Sequence, residues 1–89
     1  MFTGIVEELG EVLSCDLTGD IYRLVLRAPR SIEGLVVGGS MSINGCCLTA
    51  TRVEGSTVAF DLARETVVRT RFDERLRPGV VVNLERPLR

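Results

Sequence analysis

Apolar positions along this chain alternate with polar ones far more often than they recur every third or fourth residue. Short β-branched segments separated by turn residues follow one another almost from end to end, the signature of half-buried strands. The pattern predicts a long first strand over residues 2–14, interrupted by Gly4 and Gly10, where a bulge or a close backbone approach is expected. Residues 16–20 (DLTGD) read as a turn, and 21–27 as a second strand stopped by Ala28-Pro29. Ser31-Ile32-Glu33 suits one helical turn before Gly34. Further strands are predicted over 39–43, 46–53, 57–62 and 80–85, with a helix over 63–70. Six short strands at near-regular spacing, with one or two short helices, predict an all-β, six-stranded closed barrel, because closure removes the edges an open sheet would expose.

Asn44-Gly45 between alternating segments is the strongest short-range hairpin signal in the chain. A two-residue loop there pairs Ile43 with Cys46, Ser42 with Cys47, Met41 with Leu48 and Ser40 with Thr49. Ladder partners share a face, so Met41, Ile43, Cys46, Leu48 and Ala50 belong inside and Ser40, Ser42, Cys47, Thr49 and Thr51 outside. A three-residue turn at Glu54-Gly55-Ser56 then opposes Ala50 with Phe60 and Leu48 with Leu62, which sets Asp61 beside Thr49 on the polar face. That face is either a solvated barrel exterior or a shallow platform for a flat polar ring, where small side chains permit close approach and hydroxyls supply donors and acceptors.

At 89 residues the chain is read as one domain, 1–89, with a thin core. A hydrophobic share of 45% with 26% charged residues is that of an ordinary soluble globular protein and excludes disorder and fibrous repeats. No apolar run approaches the length of a membrane span, and the acidic start (Glu7, Glu8) is unlike a signal peptide. A net charge of -1 argues against a nucleic-acid surface. There is no His and no Lys, all 11 basic residues being Arg. Imidazole bases, Ser-His-Asp triads, Schiff-base chemistry and a phosphate-loop lysine are therefore absent from this sequence. The 3 cysteines, Cys15, Cys46 and Cys47, have no CxxC spacing, and adjacent Cys46 and Cys47 point to opposite faces of a strand. Neither a structural zinc site nor a disulfide framework is expected, and the odd count points to the reducing cytoplasm. The stretch containing Arg64, Arg69, Arg71, Arg75 and Arg77 is interleaved with Glu65, Asp73 and Glu74 and reads as a solvated, salt-bridged surface.

At Met1-Phe2-Thr3-Gly4-Ile5-Val6-Glu7 and again at Ser42-Ile43-Asn44-Gly45-Cys46-Cys47-Leu48-Thr49-Ala50-Thr51, the chain strongly resembles the riboflavin synthase family, specifically its N-terminal lumazine-binding domain. Phe60-Asp61-Leu62-Ala63-Arg64-Glu65-Thr66 and Gly79-Val80-Val81-Val82-Asn83-Leu84-Glu85-Arg86 fit in the same order, so the resemblance covers essentially the whole chain. It implies a Greek-key barrel and a transferase reaction in which two molecules of 6,7-dimethyl-8-ribityllumazine dismutate, by transfer of a four-carbon unit, to riboflavin and a ribitylamino-pyrimidinedione. It implies no metal and no redox cofactor.

Carried over by position, the resemblance places Ser40, Cys47 and Phe2 at the reacting centre, with Ser40 and Cys47 holding a water or assisting at the ring carbon and Phe2 at the junction of two substrates. Thr49, Glu65 and Thr66 match positions that bind the pyrimidine edge and ribityl chain. Thr3, Gly4, Ile5, Val6, Cys46, Asp61, Leu62 and Ala63 complete the substrate contacts. The family carries two tandem barrels, and this sequence ends at Arg86-Pro87-Leu88-Arg89, about where the second is expected. The expectation is an excised domain or a one-barrel relative, weakly active or inactive alone. A homodimer of single barrels would mimic the tandem pair, where the two-barrel enzyme is a trimer. The alternative is a non-catalytic lumazine- or flavin-binding protein serving as antenna or store. A barrel with no ligand is the third, generic reading.

Overall fold

The computed structural model describes residues 8–28 and 35–85. Six strands, β1 (Glu8–Thr18), β2 (Ile21–Arg27), β3 (Ser40–Ile43), β4 (Cys46–Glu54), β5 (Thr57–Ala63) and β6 (Val81–Glu85), close into a barrel in the order β1-β2-β5-β4-β3-β6. Two short helices, α1 (Arg64–Thr70) and α2 (Phe72–Arg75), lie between β5 and β6. Every ladder is antiparallel. Because β2 lies beside β5 instead of β3, the connection between the first hairpin and the β3-β4-β5 meander is a Greek key.

The β3–β4 hairpin has the register expected from Asn44-Gly45, with Ser40, Met41, Ser42 and Ile43 facing Thr49, Leu48, Cys47 and Cys46. Asn44 (φ 49) and Gly45 (φ 85) both adopt positive φ, as the hairpin-compatible mirror turn requires. The β4–β5 hairpin differs from expectation at its turn. Glu54 faces Thr57, so the loop is the two residues Gly55-Ser56 and not three. The register nevertheless returns to Ala50 opposite Phe60, because β4 bulges at Thr51 between Ala50 and Arg52. One extra residue in the strand compensates for one fewer in the turn. The ladder stops at that pair, so Leu48 and Leu62 are not ladder partners; Leu62 pairs with Tyr22 on β2.

The first strand also differs. It runs on to Thr18 through the residues expected to turn, because Ile21–Arg27 supplies ladder partners as far as Thr18↔Ile21, and the chain reverses at Gly19 (φ 66). A bulge at Leu13, between Val12 and Ser14, shifts the alternation. Val12 and Cys15, three positions apart, can then both face the interior, opposite Leu26 and Leu24. The helical turn expected at 31–33 and the strand start at 2–7 lie outside the described residues. A second helix, not expected, follows α1 directly: Arg71 takes a left-handed conformation (φ 59, ψ 32) that ends one helix and begins the next.

The core is one cluster that fills the barrel. Phe60 is its largest fully buried side chain, packed with Leu24, Leu26, Met41, Ile43, Leu62 and Leu84, while Val67, Phe72 and Leu76 bring the helical segment onto it. Inward and outward positions alternate along β2 and β6 as the pleat demands.

Closure of the barrel depends on the β1–β6 seam, where Gly10 pairs with Val82. A Cβ at Gly10 would sit 2.6 Å from Leu84 Cδ1 and 3.3 Å from the Arg27 carbonyl oxygen, the close approach expected from the sequence. Since Leu84 is fully buried, it has little room to retreat. Gly10→Ala is expected to lower stability by about 1–3 kcal/mol, the usual cost of overpacking, read from urea denaturation. Adding Leu84→Val should recover part of that loss; further loss in the double variant would show that the seam is not the cause.

Candidate functional site

The β3–β4 ladder brings Ser40 beside Thr49 and Ser42 beside Cys47 on the outer face of the barrel. Cys47 and Thr49 are exposed and Ser40 half-buried. Ser42 departs from the solvated face expected for it, being only 1% exposed, and its hydroxyl has no hydrogen bond among the described residues. Asp61 lies on the outer face of β5, next to Arg23 on β2, whose Nε donates to Asp61 Oδ1 at 3.2 Å. Beyond Asp61 the strand ends at Ala63, whose extended backbone (φ -64, ψ 151) turns the chain into α1. Glu65 and Thr66 thus follow directly from the polar edge of β5, Glu65 exposed and Thr66 half-buried. The Thr66 carbonyl accepts a hydrogen bond from the Thr70 hydroxyl at 2.8 Å.

Two of the residues singled out from the sequence face the other way. Leu62 is buried in the core at 1% exposure, so only its backbone can meet a ligand on the polar face. Cys46 pairs with buried Ile43 and packs against the core from the inner side, whereas Cys47 lies outside. Phe2, Thr3, Gly4, Ile5 and Val6 lie outside the described residues. Ser40, Cys47, Thr49, Asp61, Ala63, Glu65 and Thr66 are therefore the described candidates that are exposed or half-buried, on β3, β4, β5 and the first turn of α1; the β4–β5 ladder ends at Ala50↔Phe60, so Asp61 is not the ladder partner of Thr49 that the sequence predicts.

The sequence reading missed a second feature. A pocket of about 200 Å³ lies between the β3–β4 turn and the two helices, with Asn44 and Cys46 on one side and Arg69, Thr70, Arg71 and Arg75 on the other, and Phe72 completing it. The sequence pattern predicts these arginines as part of a solvated, salt-bridged surface. Arg71 does donate from both Nε (3.0 Å) and Nη2 (2.6 Å) to Glu74 Oε2. Arg69 and Arg75, however, have no carboxylate within ion-pair distance among the described residues. Their convergence depends on the left-handed Arg71, a conformation with no glycine or asparagine to announce it. Among the described residues no group of His, Cys, Asp and Glu is arranged to hold a metal ion, and no helix is long and apolar enough to cross a membrane.

Burial pushes both inward-facing thiols above their ordinary range. For Cys15 the charges of Asp16 and Asp73 add to the effect. For Cys46 the Arg69 guanidinium pulls partly the other way and Cys47 adds a smaller upward push.

A family profile described as the lumazine binding domain matches residues 3–87. The chain is 40% identical over 87 residues to riboflavin synthase of Escherichia coli (strain K12), covering 97% of this chain and 40% of that protein. It is 46% identical over 88 residues to riboflavin synthase of Mycobacterium bovis, covering 97% and 43% respectively. It thus spans about two-fifths of the length of these curated relatives. Among solved structures it is similar to LumP complexed with 6,7-dimethyl-8-(1'-D-ribityl) lumazine (TM-score 0.84, 32% identity, 100% of this chain and 49% of that one). It is also similar to LumP complexed with flavin mononucleotide (TM-score 0.83, 34% identity, 98% and 49%).

The opposite orientations of the adjacent cysteines predict their order of alkylation. Iodoacetamide should modify exposed Cys47 first. Cys46 and Cys15 should react slowly near neutrality and accelerate only as pH rises past the usual thiol range, since a raised pKa leaves less of the nucleophilic thiolate at any given pH. Peptide mapping by mass spectrometry distinguishes the three. Equal labelling of Cys46 and Cys47 at neutral pH would contradict the inward placement.

Proposed function

The chain belongs to the lumazine binding domain family, and from that premise we propose that its barrel binds 6,7-dimethyl-8-ribityllumazine and riboflavin on the outer face of β3–β5 and supplies one half-site for lumazine dismutation. The observation that carries this reading is the β3–β4 ladder, which sets Ser40, Thr49 and Cys47 on one outward face. Small side chains there let a planar heterocycle approach the sheet closely, and their hydroxyls match the alternating donors and acceptors of a pyrimidinedione edge. Thr49 and the backbone around Leu62 and Ala63 would hold that edge, while Glu65 and Thr66 would meet the ribityl chain. Phe2 and residues 3–6 would complete the contacts.

The chemistry asks little of the protein's own acids and bases. The 7-methyl group of the lumazine is acidic because its carbanion delocalises into an electron-poor ring. Holding two such rings in the reactive orientation removes much of the entropic barrier, and a modest base or an ordered water serves for the proton. Ser40 and Cys47 would position that water or assist at the ring carbon. Two lumazines then yield one riboflavin and one 5-amino-6-ribitylamino-pyrimidinedione, a four-carbon unit passing from donor to acceptor with no external oxidant. No metal or redox cofactor enters this scheme.

One face covers one ligand, so turnover would need a second barrel. A twofold homodimer requires a single self-complementary patch and is the assembly proposed for this chain; the two-barrel relatives would satisfy the requirement within a trimer. The LumP complexes with lumazine and flavin mononucleotide favour a second reading, in which the barrel holds its chromophore without turning it over. A reducing, cytoplasmic setting suits either role.

Fluorescence titration with riboflavin and with 6,7-dimethyl-8-ribityllumazine, run beside an absorbance assay for riboflavin formation, separates these readings. Saturable binding with no product supports a half-site or holding role, and binding with product supports self-association into a working site. Thr66→Phe or Cys47→Phe should weaken riboflavin binding at least about tenfold, the effect of losing one well-placed hydrogen bond and close approach. Arg52→Ala, on the exposed Arg52–Glu54 pair, should leave it unchanged. Equal affinity in all three variants would refute the assignment of the face.

A further inference from the structure

The pocket between the helices and the β3–β4 turn is not needed for the ring-binding face, yet it has the composition of an anion site. Three arginines, Arg69, Arg71 and Arg75, are among its lining residues, and no Asp or Glu is. Arg71 is held in place by Glu74, which leaves Arg69 and Arg75 as cations with no carboxylate partner among the described residues. Opposite them, the Asn44 carboxamide oxygen already accepts the Asn83 backbone N–H at 2.8 Å, so the amide nitrogen is the end of that side chain with donors to offer.

The backbone is shaped for the same convergence. Among the described residues only Asn44 (φ 49) and Arg71 (φ 59) are non-glycine residues with positive φ, and both line this pocket. Asn44 takes its conformation from the hairpin turn, whereas Arg71 holds a left-handed conformation that ordinarily favours glycine or asparagine. At Arg71 the consequence is specific. The chain leaves α1 and re-enters a helix at once, which brings Arg69 from the last turn of α1 and Arg75 from the last turn of α2 to one cavity.

Size and position narrow the ligand. At about 200 Å³ the pocket is below the 300–1,000 Å³ of sites that enclose a drug-sized molecule, so it suits a compact group and not a fused ring. Phosphate is the compact anion that forked guanidinium donors match best. Thr70, on the pocket wall, donates its hydroxyl to the Thr66 carbonyl one turn earlier. The pocket is therefore one helical turn, about 5.4 Å, beyond the position proposed for the ribityl chain.

We propose that Arg69 and Arg75 form a binding site for a phosphate monoester or inorganic phosphate, the first source being the 5'-phosphate at the end of a ribityl chain seated on the outer face. The ribityl source rests on the flavin-binding reading above; the inorganic source does not.

The test titrates the full chain with riboflavin, with flavin mononucleotide and with inorganic phosphate, following flavin fluorescence and the backbone amide resonances of residues 69–75. For the ribityl source, flavin mononucleotide binds about tenfold or more tighter than riboflavin, as expected for one or two charge-assisted hydrogen bonds. Arg69→Gln with Arg75→Gln removes that advantage while riboflavin affinity stays the same. For the inorganic source, phosphate shifts the amide resonances saturably, the double variant abolishes the shift, and the two flavins bind alike. Equal affinity for the two flavins together with no saturable phosphate shift overturns the proposal. If neither flavin binds, it is the flavin-binding reading that fails, and the phosphate titration still decides whether the pocket is an anion site.

Discussion

Closure between β1 and β6 is the constraint on which everything else depends. It turns a twisted sheet into a tube and makes inside and outside a matter of register alone. Once Gly10 lies against Leu84 and β6 reaches β3 through Ser42↔Glu85 and Ile43↔Leu84, each described strand has two neighbours in the closed order, and closure removes the edge strands an open sheet would expose. Phe60, Leu24, Leu26 and Met41 then meet at the centre. The outward residues are held in place by the same pleat without contributing to the core, and so are free to be chosen for other purposes.

Charge contributes little to that framework. The Arg23–Asp61, Arg52–Glu54 and Arg71–Glu74 pairs are all substantially exposed, and such pairs are each worth about 0–1 kcal/mol. Stability comes from burial, and the charged groups are correspondingly cheap to rearrange. Arg69 and Arg75 can remain without a carboxylate partner among the described residues because both are exposed to solvent. A buried cation without a partner would have been costly. An exposed one beside a pocket is a standing attraction for anions.

The parts of this architecture that could be read from sequence are those set by local rules. Asn44-Gly45 dictates a two-residue hairpin, and from it followed the faces of Met41, Ile43, Leu48, Ser40, Cys47 and Thr49. A three-residue turn predicts the same β4–β5 register at Ala50↔Phe60 as the observed two-residue turn, because the bulge at Thr51 offsets the difference; a bulge in a run of polar and small residues leaves no local mark. The extension of β1 to Thr18 was hidden because Asp16 and Thr18 look like turn residues, and tertiary pairing with β2 overrode that preference. The second helix, and with it the arginine pocket, depends on a left-handed arginine, which no propensity announces. Burial of Ser42 likewise has no sequence signal, since its neighbours in the hairpin place it on the polar face.

The adjacent cysteines show how one hairpin serves two environments. Consecutive residues on β4 must point to opposite sides, so Cys47 joins the hydroxyls outside while Cys46 turns toward the core and the arginine pocket. With no histidine anywhere in the sequence, proton movement on the outer face would fall to hydroxyls, a thiol, a carboxylate or water, none of which is a strong base at neutral pH. Such a face suits a substrate whose own ring supplies the acidity and whose reaction is limited by the meeting of two molecules. A sheet exterior presents a flat ring with one wall only; the second wall has to come from the second substrate and the surface that holds it. The weak intrinsic basicity of this barrel and its open geometry therefore point the same way. In the proposed dismutation its contribution would be orientation, complete only when two such faces are brought together.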